Sequence, residues 1–165
     1  MNNKFEGYDD GEITCTDVYS IADGSGRDIW TATLSGFCHV YYAIDRDNPV
    51  DFILEGMNGN IYVGELKNRE KCPPERKAKY NKEGWMYEEW KDKCLKAKMK
   101  ELGAKDALYV TITDDYVNVW KTGHQQFKFF MRDCTATTAE NYRHGEKPKS
   151  CCDLKIEDAR WRIKR

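Results

Sequence analysis

The 165-residue chain has no long apolar run. No stretch approaches the roughly 20 residues a membrane-crossing helix needs, and no apolar segment of leader type opens the sequence. The expectation is a soluble cytoplasmic protein with no membrane partner. No C-x-x-C pair occurs among the seven cysteines, Cys15, Cys38, Cys72, Cys94, Cys134, Cys151 and Cys152, whose odd number and irregular spacing are unlike a secreted disulfide framework. They read as reduced thiols. A zinc cluster drawn from Cys134, His144, Cys151 and Cys152 is disfavoured, because adjacent cysteines rarely chelate one ion well. Histidine is scarce, and His39, His124 and His144 show no partner spacing, which excludes a histidine-based metal or nucleophile site. No glycine-rich phosphate loop follows a strand: "DGSGRD" at 23–28 lacks the lysine such a loop needs, so no nucleotide cofactor is expected. Repeats and low-complexity tracts are absent too.

Net charge is also nearly missing, at -1, but the charges that are present are segregated. Residues 1–28 hold seven acids and two bases, 67–105 thirteen bases and seven acids, and 143–165 eight bases and four acids. Two basic segments would form one electropositive face if the fold brings them together, whereas each alone is a solvated surface. The length suits a single domain.

Periodicity supplies the elements. Residues 26–36 carry Ile29, Trp30 and Leu34 at helical spacing with Gly36 as a stop, and "FCHVYYAI" at 37–44 reads as a strand. Val50–Glu55 and Asn60–Lys67 flank the turn-forming "GMNGN" and predict an antiparallel hairpin. The proline-broken 72–84 reads as a loop. Trp85–Leu102 predicts a helix whose apolar stripe holds Met86, Trp90, Cys94 and Ala97, widened by Leu95, Met99 and Leu102, with Gly103 ending it. "ALYVTIT" and "YVNVW" around Asp114-Asp115 predict a second hairpin, and the remainder a β-rich extension. Helix, three strands, long helix and two strands imply an α/β fold around a mixed sheet.

Three charges interrupt the first hairpin. Asp51 opens one strand, and Glu65 and Lys67 close the other. Side chains two apart on a strand share a face, about 6.5–7 Å apart at Cα, and antiparallel pairing sets Asp51 level with the end of the second strand. Two carboxylates this close repel unless a cation lies between them. Mg²⁺ suits that position, since it takes a few carboxylate oxygens and keeps water for a phosphate, and the Leu66 carbonyl could complete the protein ligands. The lysine would hold or deprotonate an attacking water and stabilise charge on a phosphate oxygen. Metal-assisted phosphodiester hydrolysis is the chemistry such a trio fits. The plainer alternative is a capping Asp51 beside a solvated Glu65–Lys67 pair.

"NPVDFIL" and "YVGELK", with thirteen residues between Asp51 and Glu65, resemble the PD-(D/E)XK nuclease motif, Pro49 and Asp51 being one residue apart from the strict Pro-Asp pair. The resemblance implies an αβββαβ core of restriction-endonuclease type, a central mixed β-sheet flanked by helices, over about 26–121 of a single 1–165 domain, with 122–165 as the extension. It is similar in flavour to small phage-encoded and Holliday-junction-resolvase-like members, which implies a host cytoplasm for a phage protein and suits a homodimer. Asp51 and Glu65 would bind Mg²⁺, with Mn²⁺ as a substitute, and Lys67 would serve the water. The leading function is a DNA endonuclease, branched or flapped substrates included. Alternatives are a catalytically inactive nucleic-acid-binding module and a phage protein that inhibits a host factor through the acidic N-terminal segment.

Further positions are expected around this site. Arg69 and Lys71 continue the basic surface and would neutralise phosphates. On the long helix, Glu89, Lys93, Lys96 and Lys100 share a face, and Lys93 is the candidate to approach the site, a Glu89–Lys93 ion pair being the competing reading. Family members often carry an acid on the first helix; Asp28 and Glu12 are the candidates, each readable as a surface charge. Tyr80, Trp85 and Tyr87 could stack on unpaired bases, although aromatics at such positions usually pack.

Overall fold

The computed structural model describes residues 4–10, 18–70, 73–132 and 148–165. Helix α1 spans Val18–Leu34, eight residues more at its start than its apolar spacing suggests. Strand β1 is Tyr8–Asp9, β2 Cys38–Ala43, β3 Phe52–Gly56 and β4 Ile61–Asn68. The β3–β4 hairpin has the antiparallel register the alternation predicts, Phe52 opposite Gly64 and Glu55 opposite Ile61.

The segment expected to be a loop contains a helix, α2, Pro74–Lys82. Its first residue is proline, which tolerates that position because the N–H there has no helical partner, and Glu75 sits in the first turn where the helix dipole favours an acid. The long helix begins four residues later than its sequence pattern implies. Gly84–Glu88 form strand β5 instead, and α3 is Glu89–Leu102. β5 is extended because it pairs with a distant strand, β9 (Lys149–Lys155), Trp85 opposite Leu154 and Tyr87 opposite Cys152. Tertiary pairing there outweighs local helix preference. Gly103 ends α3 in the left-handed conformation, φ 61°, and Ala104 N–H bonds the Met99 carbonyl at 2.8 Å.

Strands β6 (Asp106–Ile112) and β7 (Tyr116–Lys121) make the second expected hairpin. With β10 (Trp161–Lys164) they complete a seven-stranded sheet, order β1-β2-β3-β4-β6-β7-β10. Only β4 and β6 run parallel within it, so the sheet is mixed. β8 (Phe130–Arg132), β9 and β5 form a second sheet of three.

One face of the large sheet carries Tyr41, Ile53, Val63, Tyr109 and Trp120 and packs against Leu95 of α3 and against Trp85, Tyr87 and Leu154 of the small sheet. The other carries Val40, Phe52, Leu54, Val110 and Val119 and packs against Trp30 of α1. The protein is therefore an α/β fold in which helices flank a central mixed sheet, with α-β-β-β-α-β elements in the expected order. Among the described residues no helix is long and apolar enough to cross a membrane.

Candidate active site

Glu65 and Lys67 alternate with Leu66 on β4, so both project from the face that α3 covers. Glu65 is only 1% exposed. Its Oε1 lies 2.5 Å from Lys67 Nζ, and its Oε2 lies 2.6 Å from Lys91 Nζ, without hydrogen-bond directionality at Oε2. Lys91 also donates to the Pro49 carbonyl at 2.8 Å, which ties α3 to the chain just before β3.

Asp51 precedes β3 and is held as though on it. Its N–H bonds the Gly64 carbonyl at 2.9 Å, and its own carbonyl accepts from Ala43 at 2.9 Å. The carboxylate accepts the Leu66 N–H at 2.8 Å through Oδ2. β3 starts at Phe52, opposite Gly64, so beyond that point the β4 edge is left for Asp51 to meet.

Burial pushes the Asp51 carboxyl up to about 7; the Glu65 charge adds to this, while Lys67, the Leu66 N–H and Lys91 oppose it. For Glu65 burial works upward too, but Lys67 and Lys91 outweigh it and hold the carboxylate below its ordinary range. Lys67 is shifted above the usual lysine range: burial favours the neutral amine, and Glu65, Tyr109 and Asp51 together overcome it. At neutral pH Lys67 is an ammonium and Glu65 a carboxylate.

These groups line a cleft of about 390 Å³ at one end of the large sheet, bounded by the β2–β3 loop, the end of β4, α1 and the first turn of α3. Arg27, Arg46, Lys67, Arg69 and Lys91 face Asp47, Asp51 and Glu65 there, so the cleft is net positive. No protein-family model and no curated protein matches the sequence. The chain is similar in structure to Archaeoglobus fulgidus Hjc, a Holliday junction resolvase from an archaeal hyperthermophile. The TM-score is 0.46 at 9% identity, over 77% of this chain and 86% of that one.

Of the residues expected from sequence, Asp51, Glu65, Leu66, Lys67 and Arg69 all line the cleft. Lys71 and Glu12 lie outside the described residues, as do Cys134 and His144 of the disfavoured zinc cluster. Asp28 is exposed on α1 and does not line the cleft, while its neighbour Arg27 does. Tyr80 stacks on Trp85 at 4.1 Å between ring centroids, and Trp85 and Tyr87 are buried, so these three pack.

Lys93 is not at the cleft. Its side chain is 73% exposed and pairs with Glu89 at 3.4 Å. The helical lysine that reaches Glu65 is Lys91, and helix geometry gives the reason. At about 100° per residue, Lys91 lies about 40° around the axis from buried Leu95, and Lys93 about 160° away. The stripe read from sequence also holds Met86 and Ala97, which lie about 20–40° from Lys93, so spacing alone does not separate the two lysines; the burial of Leu95 does. Among the described residues no three His, Cys, Asp or Glu side chains gather as a metal-holding group.

Proposed function

We propose that the chain is a metal-dependent nuclease that hydrolyses phosphodiester bonds in DNA at the Asp51, Glu65 and Lys67 cleft. The observation carrying this reading is the convergence of a buried carboxylate, a second carboxyl hooked to the Leu66 N–H, and two ammoniums in a net-positive cleft. Mg²⁺ is the cation of choice, Mn²⁺ a substitute, and the donor chemistry fits. Asp51, buried beside a carboxylate and raised to about 7, is a group that a cation would relieve of its proton. Asp51, Glu65 and the Leu66 carbonyl would hold the ion, all oxygen donors as Mg²⁺ prefers. Once bound, it would polarise a phosphate oxygen and lower the pKa of a bound water.

The chain's own groups supply the rest. Lys67 enters as an ammonium, because Glu65 holds its proton, and so it donates hydrogen bonds to charge building on the phosphate rather than abstracting a proton. Lys91, fixed by Pro49 and Glu65, keeps Glu65 ionised and oriented. Arg27, Arg46 and Arg69 would take flanking phosphates without reading bases. A homodimer remains part of the proposal only as the assembly suited to a symmetric branched substrate.

One observation favours a second reading, a nucleic-acid-binding module without turnover. Lys67 and Lys91 both pair with Glu65 and together offset its charge. Single-turnover cleavage of labelled linear, flapped and four-way DNA with Mg²⁺ separates the two. Glu65→Gln and Lys67→Ala should each slow cleavage by at least about a hundredfold, Lys67→Ala with DNA affinity nearly retained, because its interaction belongs to the transition state. Equal rates in all three proteins would move catalysis elsewhere. Binding without cleavage by the wild type would establish the second reading.

A further inference from the structure

Trp90 belongs to the apolar stripe of the long helix by sequence, yet 51% of it is exposed. It lies about 140° around the α3 axis from Leu95, which takes it off the buried face and onto the rim of the cleft. Half of the indole is thus open to solvent at the rim of a net-positive cleft. Its orientation is set nonetheless. The indole N–H donates to the Glu88 carboxylate, whose other oxygen accepts Lys149 at 3.2 Å. The Lys91 ammonium lies 4.5 Å from the ring centroid, and the same ammonium lies 2.6 Å from Glu65. An anchored aromatic plane thus stands one residue from a group that touches the candidate catalytic carboxylate.

We propose that Trp90 is a stacking platform for an unpaired base, so that the nucleic acid entering this cleft carries a single-stranded segment beside the phosphate held there. This rests on the nuclease reading for the place of the phosphate, and it adds the substrate class. Aromatic side chains stack on any base without sequence preference, and a base inside a duplex is already covered on both faces. The guanidiniums of Arg27, Arg46 and Arg69 supply sequence-independent attraction for either form of DNA, whereas the indole rewards only the unpaired one. Pre-fixing the ring by Glu88 reduces the ordering cost of binding.

The test uses fluorescence anisotropy in EDTA, where no metal-dependent cleavage occurs, with labelled flapped, single-stranded and blunt duplex DNA of one sequence. A fourth ligand is the flapped DNA with abasic residues at the two flap nucleotides nearest the branch. The wild type should prefer flapped over duplex DNA, and Trp90→Ala should reduce that preference roughly tenfold, with Trp90→Phe intermediate. The abasic flap should weaken wild-type binding by a similar factor and barely weaken Trp90→Ala further, since both remove the same contact. An unchanged preference in Trp90→Ala, effects that simply multiply, or no DNA binding by the wild type would each overturn the proposal. Should Trp90→Ala fail to fold by circular dichroism, Trp90→Phe and the abasic flap on the wild type decide, and equal affinity for abasic and intact flaps refutes it. Failure of the nuclease reading looks different: no rate loss in Glu65→Gln, with the metal-free stacking result untouched.

Discussion

Lys91→Met removes one ammonium from Glu65 while keeping most of the aliphatic stem. The carboxylate is 1% exposed, and the substitution leaves its Oε2 with no cation at 2.6 Å and the Pro49 carbonyl without its 2.8 Å donor. Breaking a buried pair by deleting one partner costs about 3–5 kcal/mol, because the surviving charge stays desolvated. Here Lys67 remains on Oε1, and burial of the Lys91 charge is itself relieved, so a net loss of about 2–3 kcal/mol is expected. For a chain of this length that is a fall in Tm of roughly 5–10 °C.

The deficit should depend on pH. Glu65 is depressed in the folded state, so it contributes stability above its unfolded pKa and loses it as pH falls through the folded one. Lys91 is one cause of that depression. The variant should therefore be weakest relative to wild type near pH 8 and approach it as Glu65 protonates in acid. Urea denaturation across pH measures this, with Lys93→Met, on the exposed side of α3, as the control that should match wild type. A Lys91→Met protein as stable as wild type at pH 8, or a deficit that grows in acid, would refute the ion-pair account.

Three further outcomes concern Asp51 and the β3–β4 hairpin. Because Asp51 titrates near 7 and a cation would displace its proton, Mg²⁺ affinity should rise from pH 6 to 8 by up to about tenfold per unit below 7 and level off above it. Without metal the same shift makes stability fall as pH rises through 7, since the folded state binds that proton more tightly than the unfolded chain; calorimetry in buffers of different ionisation heat should detect proton release, and a flat profile with no release would remove Asp51 from the ion. Gly64→Ala should cost about 1–3 kcal/mol, because a Cβ there overlaps the Phe52 ring across the hairpin, and Phe52→Leu should restore part of the loss in denaturant midpoints; additive losses would place the strain elsewhere.

Residues close in sequence set the parts that were legible early. Alternation on β3 and β4, with the turn between them, brings Asp51 opposite the end of β4 and puts Glu65 and Lys67 on one face, because strand period and hairpin register act within some twenty residues. The β6–β7 hairpin and the Gly103 stop are local in the same way. What only the tertiary structure decided involves partners far along the chain. Gly84–Glu88 are extended because β9, more than sixty residues on, pairs with them. Strand β10 lies within the expected β-rich extension, but its place beside β7 in the large sheet is set by pairing with residues more than forty positions back. Lys91 rather than Lys93 meets Glu65, since which side of α3 turns inward depends on how the helix settles on β4. Trp90 is exposed because the same settling leaves its edge of the helix over the cleft. Sequence spacing fixes which side chains share a face; only packing against distant elements fixes which face is buried.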